Sequence, residues 1–275
     1  MVSIFKKISR ALRSVQERHA MPLRLEFVVG DQCNLNCRGC THFSPLAAGD
    51  QQPFEQLKAT VERVAKAVSD EIPIVYLMGG ETLLYPRIVE AIELMRANFP
   101  KASLSLFTNG LLLTRMGDDF WEACRRCQCR VAMTRYPVKF DYDAAEALVR
   151  EKGVECRVFG DRGGSDTFFR FALDPAKSQN AELAHFKCYN FGCVSVVGDR
   201  IYPCSISGCV GHLNRAHATD FRHEEGDYIR VEDLHSVKQI KRLRDRPTPF
   251  CAYCKLPPRA LPWAASRREK SEWVD

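Results

Sequence analysis

Three cysteines, Cys33, Cys37 and Cys40, stand in the spacing C-x3-C-x2-C within DQCNLNCRGCTHFSP. Three thiolates converging from one loop can hold three irons of a cubane 4Fe-4S cluster, because cysteine thiolates are the usual ligands of such clusters. The fourth iron is then open, and an open metal position is where a cofactor or substrate binds. A zinc knuckle with His42 as its fourth ligand is the other chemistry this spacing permits, although zinc knuckles are usually built of paired ligands on two arms. Cys188, Cys193, Cys204, Cys209, Cys251 and Cys254 form a later set that ends in a C-x2-C pair. Such pairs serve zinc and iron-sulfur clusters equally well. Cys124, Cys127 and Cys129, in CRRCQC, fall where a helix runs into a buried strand. With Cys156 they are assigned to packing, since a free cysteine behaves as a small hydrophobe. The sharper alternative for Cys129 or Cys156 is a thiol that takes part in chemistry.

The positions of these cysteines depend on elements that the sequence marks plainly. Segments 23–29, 72–78, 102–108, 130–134 and 154–159 read as strands, and 55–70, 87–98, 117–128 and 142–151 as the helices between them. Strands separated by helices of ten to fifteen residues imply successive βα units, a parallel sheet and right-handed crossovers. Such sheets gather ligand sites in the loops at the C-terminal ends of their strands. Those loops hold the three cysteines, then GGETLLYP, then TNG, then TRYP. From about residue 160 the alternation stops. Segment 161–180 has turn chemistry and reads as a connection or a loop over the sheet, and CVSVVGDRIYPC reads as a hairpin turning at Gly198 and Asp199.

Composition bounds the class of protein. Thirteen cysteines in 275 residues fall below the roughly 8 to 10% of a short secreted disulfide scaffold. Lys6, Lys7, Arg10 and Arg13 interrupt every apolar run near the start, so a signal-peptide core is not expected. No run approaches the length of a membrane span. The expected location is therefore cytoplasmic, where clustered cysteines bind metal or do chemistry more often than they form bridges. A net charge of +6, spread along the chain, falls short of the basic footprint of a nucleic-acid binder. Residues 1–21 read as an amphipathic helix docked on the domain, 22–185 as the core, 186–260 as a second, smaller module and 261–275 as a basic tail.

CNLNCRGC after a first strand, followed by GGE after a second, resembles the radical S-adenosylmethionine (SAM) superfamily. The resemblance covers about residues 22–160 and implies a partial β/α barrel. It implies that Cys33, Cys37 and Cys40 hold a 4Fe-4S cluster whose open iron chelates SAM. One electron then cleaves SAM to methionine and a 5'-deoxyadenosyl radical, which abstracts a substrate hydrogen. Gly79, Gly80 and Glu81 match the motif that packs on the methionine amino group. Two glycines let backbone approach a ligand closely, and a carboxylate can balance an ammonium. Thr108 and Asn109 fall where relatives contact ribose or sulfonium, and Arg135 is placed to pair with the methionine carboxylate. Gly39 departs from the pattern, since an aromatic residue usually precedes the third cysteine and leans on adenine. His42 or Phe43 would then supply the ring, unless backbone alone holds the adenine.

The later cysteines resemble the C-terminal auxiliary-cluster extension, of twitch or SPASM type, found in some of these enzymes. Five residues separate Gly198 from Cys204 where that pattern usually has four. Cys188, Cys204, Cys251 and Cys254 are chosen as ligands of a second 4Fe-4S cluster. Cys193 is the rival to Cys188, Cys209 is left without a role, and a four-cysteine zinc site is the competing reading. What the resemblance implies is an oxidation or epimerisation of a small polar substrate, of sugar or aminocyclitol type, with flavodoxin or ferredoxin as electron donor. A peptide maturase is the alternative within the superfamily, disfavoured because only about 20 residues precede the first strand. A non-catalytic iron-sulfur or zinc protein is the alternative outside it, and would leave GGE and the open coordination position unexplained.

Overall fold

The computed structural model describes residues 18, 20–49, 51–160 and 167–275. Most of the helix expected over residues 1–21 lies outside the described residues, as does part of the expected loop 161–180. Five strands, β1 (Arg24–Val28), β2 (Ile74–Met78), β3 (Ser103–Thr108), β4 (Cys129–Thr134) and β5 (Cys156–Phe159), alternate with four helices, α1 (Phe54–Val68), α2 (Ile88–Asn98), α3 (Asp118–Arg126) and α4 (Tyr142–Glu151). The strands lie in the order β5-β4-β3-β2-β1, and every neighbouring pair is parallel. Leu25, Val75, Leu104 and Cys129 form one row across the sheet, and Phe27, Leu77, Leu106 and Val131 the next. All eight are buried, because βα crossovers cover a parallel sheet with helices. From α1, Leu57, Val61, Val64 and Val68 pack into the same core. This is the α/β architecture expected of a partial radical SAM barrel.

The sheet does not stop at β1. After β6 (Thr167–Arg170) and the short helix α5 (Ala181–Phe186), β7 (Val194–Val197) adds to β1 in parallel. Val194, Ser195 and Val196 are buried on both faces, which suits an inner position rather than a separate hairpin. β8 (Arg200–Tyr202) turns back at Gly198 and Asp199, with Gly198 at φ 59, and β9 (Ile229–Arg230) follows it. The hairpin expected to open a second module is thus continuous with the main sheet.

Helices α6 (Ser205–His217) and α7 (Val237–Asp245) complete the chain's helical set among the described residues. Ile206, Cys209, Val210 and Leu213 of α6 meet Phe43, Phe171 and Trp273 in a second apolar core. Two further expectations change here. The segment read as a loop contains β6, which pairs antiparallel with β10 (Arg259–Pro262). The residues read as a basic tail include Trp273 and Val274, both buried in the second core. Their exposed neighbours Arg267, Arg268 and Lys270 account for the basic reading. Buried Arg170 at the end of β6 fixes this segment by donating to the carbonyls of Ser271, Glu272 and Val274. No helix of the described residues is long and apolar enough to cross a membrane.

Candidate active site

The loop after β1 folds back on itself through left-handed backbone at Asn36 (φ 54) and Gly39 (φ 69). Glycine adopts that conformation at little cost, which suits Gly39 to its place in the turn. Cys33, Cys37 and Cys40 line one pocket, of about 210 Å³, at the C-terminal ends of β1 to β4. Gly79, Gly80, Thr108 and Asn109 share its wall. His42 lines the pocket as well, whereas Phe43 is buried in the second core, its ring 6.0 Å from that of Trp273. The other rings of the wall are Phe107, Tyr136 and Phe168, none of them singled out from the sequence.

Thiols in such a place resist ionisation. Burial pushes Cys33 up to about 11, and the nearby Cys40 and Glu81 push it the same way. Burial likewise pushes Cys37 up to about 12, against an opposing hydrogen bond from Trp263. Cys40 raises both of them and Cys33 raises Cys37, so the negative charge of one thiolate is felt by its neighbours. A cationic iron centre would relieve that repulsion, and thiolate is the donor it takes.

The GGE motif also meets the protein's own backbone. A Cβ on Gly79 would sit 2.4 Å from the Gly30 carbonyl oxygen, and one on Gly80 2.4 Å from that of Gln32. The backbone approached so closely is the cysteine loop itself. Gly80 N–H donates to the Gly30 carbonyl at 2.9 Å, and Glu81 N–H to that of Gln32 at 2.8 Å. Glu81 is 3% exposed and does not face the pocket; its carboxylate accepts from Thr108 Oγ1 (2.6 Å), Asn109 N (2.8 Å) and Leu83 N (3.0 Å). Burial raises its pKa while those donors oppose the rise. Glu81 thus locks the β2 and β3 loops together. Asn109 Nδ2 extends the lock to Asn34 Oδ1 at 2.7 Å, inside the cysteine loop.

Arg135 is placed apart from these residues. Its guanidinium, 7% exposed, pairs with Asp143 at 2.6 Å and Glu146 at 2.9 Å of α4. Both partners raise its pKa. The neighbouring Tyr136, not Arg135, reaches the pocket.

Cys188, Cys204, Cys251 and Cys254 line a second, largely apolar cavity of about 40 Å³. Cys204 caps α6, Cys188 follows α5, and Cys251 and Cys254 bracket a turn of 3-10 helix. Burial pushes Cys188 up to about 11 and raises Cys204 and Cys254 well above the usual thiol range, and Cys251 raises each of the three further. Cys193 has another partner: its sulfur accepts from Arg24 Nη2 at 2.8 Å, and Arg24 also pairs with Glu26 at 3.1 Å. Cys209 is buried in the second core. Cys124, Cys127 and Cys129 lie in the main core, with Cys156 packed against it. Among the described residues no His, Cys, Asp or Glu side chains are grouped as ligands of a single metal ion.

The C-terminal segment is the part of the site that sequence reasoning missed. Trp263 Nε1 lies 3.2 Å from Cys37 Sγ, and Trp273 Nε1 donates to the Cys40 carbonyl at 2.9 Å. The available signal was aromatic rather than charged, since two of the chain's three tryptophans fall in 261–275.

Residues 27–134 match the family model described as the radical SAM superfamily. GTP 3',8-cyclase of Helicobacter pylori (strain HPAG1) is 32% identical over 95 residues, 34% of this chain and 30% of that protein. The GTP 3',8-cyclase of Desulforamulus reducens is 34% identical over 102 residues, covering 36% and 30%. The match therefore spans under a third of the length of these curated relatives. Among solved structures, BtrN in complex with AdoMet and 2-DOIA superposes with a TM-score of 0.52 at 14% identity, over 86% of this chain and 94% of that one.

Proposed function

We propose that this chain, whose residues 27–134 match the radical SAM model, is a radical SAM enzyme that reductively cleaves SAM and abstracts a hydrogen atom from a small polar substrate, of sugar or aminocyclitol type, for oxidation or epimerisation. The observation that carries the reading is the single pocket faced by Cys33, Cys37, Cys40, Gly79, Gly80, Thr108 and Asn109. BtrN, which shares the fold at near-equal length, is described in complex with AdoMet and 2-DOIA. That supports a small ligand over a peptide.

Cys33, Cys37 and Cys40 would hold the first 4Fe-4S cluster, which supplies the electron that splits SAM into methionine and the 5'-deoxyadenosyl radical. The chain's own residues fix where this happens. Glu81 holds the Thr108–Asn109 turn against the cysteine loop, so the pocket's walls are set before ligand arrives. Phe107, Tyr136 and Phe168 give it aromatic surfaces that can take a planar base and exclude water. Glu81 already accepts from three donors, so its part is to position backbone rather than to meet the ammonium of SAM. Arg135, tied to Asp143 and Glu146, would have to release both before it met a carboxylate.

Cys188, Cys204, Cys251 and Cys254 are proposed as ligands of a second 4Fe-4S cluster. Their four thiols line one cavity, which is the number of cysteine ligands that a fully ligated cubane cluster takes. A fully ligated cluster there could take an electron from a substrate radical and make the net reaction an oxidation. An external one-electron donor such as flavodoxin or ferredoxin completes the scheme.

Anaerobic reconstitution, iron and zinc counting, and incubation with SAM and a strong reductant test the reading together. Two cubane clusters give about eight irons per chain, and 5'-deoxyadenosine is released. About four irons accompanied by zinc would remove the second cluster. Full loading without 5'-deoxyadenosine would remove the enzymatic reading.

A further inference from the structure

The last residues of the chain run across the outer side of the cysteine loop. Arg38 N–H donates to the Ala264 carbonyl at 2.9 Å, Ser266 N–H to that of Asn36 at 2.8 Å, and Asn36 Nδ2 back to Ser266 at 3.2 Å. Cys37 and Ala265 pair as an antiparallel bridge. These bonds set the register of Trp263, whose half-buried ring stands 6.4 Å from that of Tyr136, a pocket residue. The indole N–H then points at sulfur. Its 3.2 Å to Cys37 Sγ compares with 3.5 Å from Leu35 N to Cys33 Sγ and 4.0 Å between Cys40 Sγ and Ser44 Oγ. Of these three contacts to the loop's thiols, that of Trp263 is the shortest.

We propose that Trp263 is a positioning residue of the first site, whose indole N–H, held in place by the C-terminal strap, hydrogen-bonds the Cys37 thiolate and raises the reduction potential of the cluster bound there. The inference rests on the reading of Cys33, Cys37 and Cys40 as cluster ligands. Reduction adds negative charge, part of which falls on the ligand sulfurs. A donor aimed at one sulfur stabilises the more negative state more than the less negative one. The effect is local to sulfur. Trp273 donates to a carbonyl of the same loop, so it supports the backbone without touching a thiolate.

The test is an electron paramagnetic resonance redox titration of the reconstituted full chain, following the cluster signal that changes when SAM is added. Trp263→Phe keeps the ring and removes the N–H. Expected is unchanged iron content with a lower midpoint potential than wild type, while Trp273→Phe leaves the potential in place. An equal potential in fully loaded Trp263→Phe overturns the proposal. Failure of Trp263→Phe to load iron, with Trp273→Phe loading normally, overturns it too, since the ring would then serve packing. A wild-type chain with no SAM-responsive signal sinks the underlying ligand assignment, and this inference with it.

Discussion

The first cysteine site takes its three thiols from one short loop at the end of β1, whereas the second gathers four from three separate segments, around α5, α6 and the turn before Cys254. The first faces a pocket whose walls mix polar and aromatic residues; the second closes on an apolar cavity beside the second core. Locality of ligands and locality of support run in opposite directions. The compact loop is braced from far away, by the β2 and β3 loops through Glu81 and Asn109 and by the C-terminal strap through Trp263 and Trp273. A site whose walls must meet a ligand needs its backbone held from several sides. The dispersed site has ligands that belong to packed elements already, Cys204 at the start of α6 among them.

The comparison breaks first at the thiols themselves. Cys37→Ala is expected to lose 5'-deoxyadenosine release entirely, together with about four irons of about eight. Cys204→Ala is expected to lose a similar share of iron yet retain cleavage of SAM, because its thiol faces the other cavity. Cys127→Ala, in the main core, loses neither. Iron counting and product release on the three variants decide whether the sites are independent. Loss of cleavage in Cys204→Ala would show that they are not.

A smaller effect tests the remote bracing. Gly80→Ala puts a methyl group 2.4 Å from the Gln32 carbonyl oxygen and 2.5 Å from that of Asp31. Neither backbone atom can move without moving the cysteine loop. Strain of this kind costs about 1 to 3 kcal/mol, and it falls on the pocket wall, so SAM affinity drops with stability. Gly211→Ala is the contrast: it is exposed on α6, with its nearest atom a flexible Arg215 nitrogen at 3.8 Å. Replacing an interior helix glycine there gains about 0.5 to 1 kcal/mol. Urea midpoints and SAM titrations separate the two. Equal effects at both glycines would remove the brace from the account.

The same contrast explains what the sequence made legible. The βα rhythm stood out because β1 to β4 and α1 to α4 each bury one clear stripe or run, and the ends of these elements and of the half-buried β5 agreed with the structure within a few residues. The first three cysteines stood out because their spacing is local. Roles that depend on remote partners did not. Nothing near Arg135 in sequence announces that Asp143 and Glu146 hold it, and GGE alone does not say that the tight approach is to Gly30 and Gln32 rather than to a ligand. β6 has only four residues and pairs with β10 across nearly ninety positions, so no local period marks it. β7 read as half of a hairpin because its turn is local, while its pairing with β1 is not. Charge obscured the strap: Arg267, Arg268 and Lys270 describe its outer face, and the two tryptophans its inner one.

The least effect is expected at a brace of the second site. Asp174 N–H donates to the Tyr253 carbonyl at 2.7 Å, and Gln179 N–H to that of Ala252 at 3.1 Å, so this segment supports the turn between Cys251 and Cys254. The Asp174 carboxylate organises it, accepting from Ser178 Oγ, Gln179 Nε2 (2.8 Å) and Ala176 N (3.0 Å). Hydrogen bonds from Ser178 first, then Gln179, hold its pKa well below the usual carboxylate range. A carboxyl depressed in the folded state contributes stability above its unfolded pKa, about 3.9, and loses it as pH falls toward the folded value. Asp174→Asn should therefore lower the urea midpoint modestly at pH 7, and the gap to wild type should narrow below about pH 4. Because Asp174 lies outside both sets of thiols, iron content should hold at neutral pH. If that variant instead lost the second site's iron, the C-x2-C turn would depend on remote support as much as the first loop does, and the two sites would differ in the reach of their ligands alone.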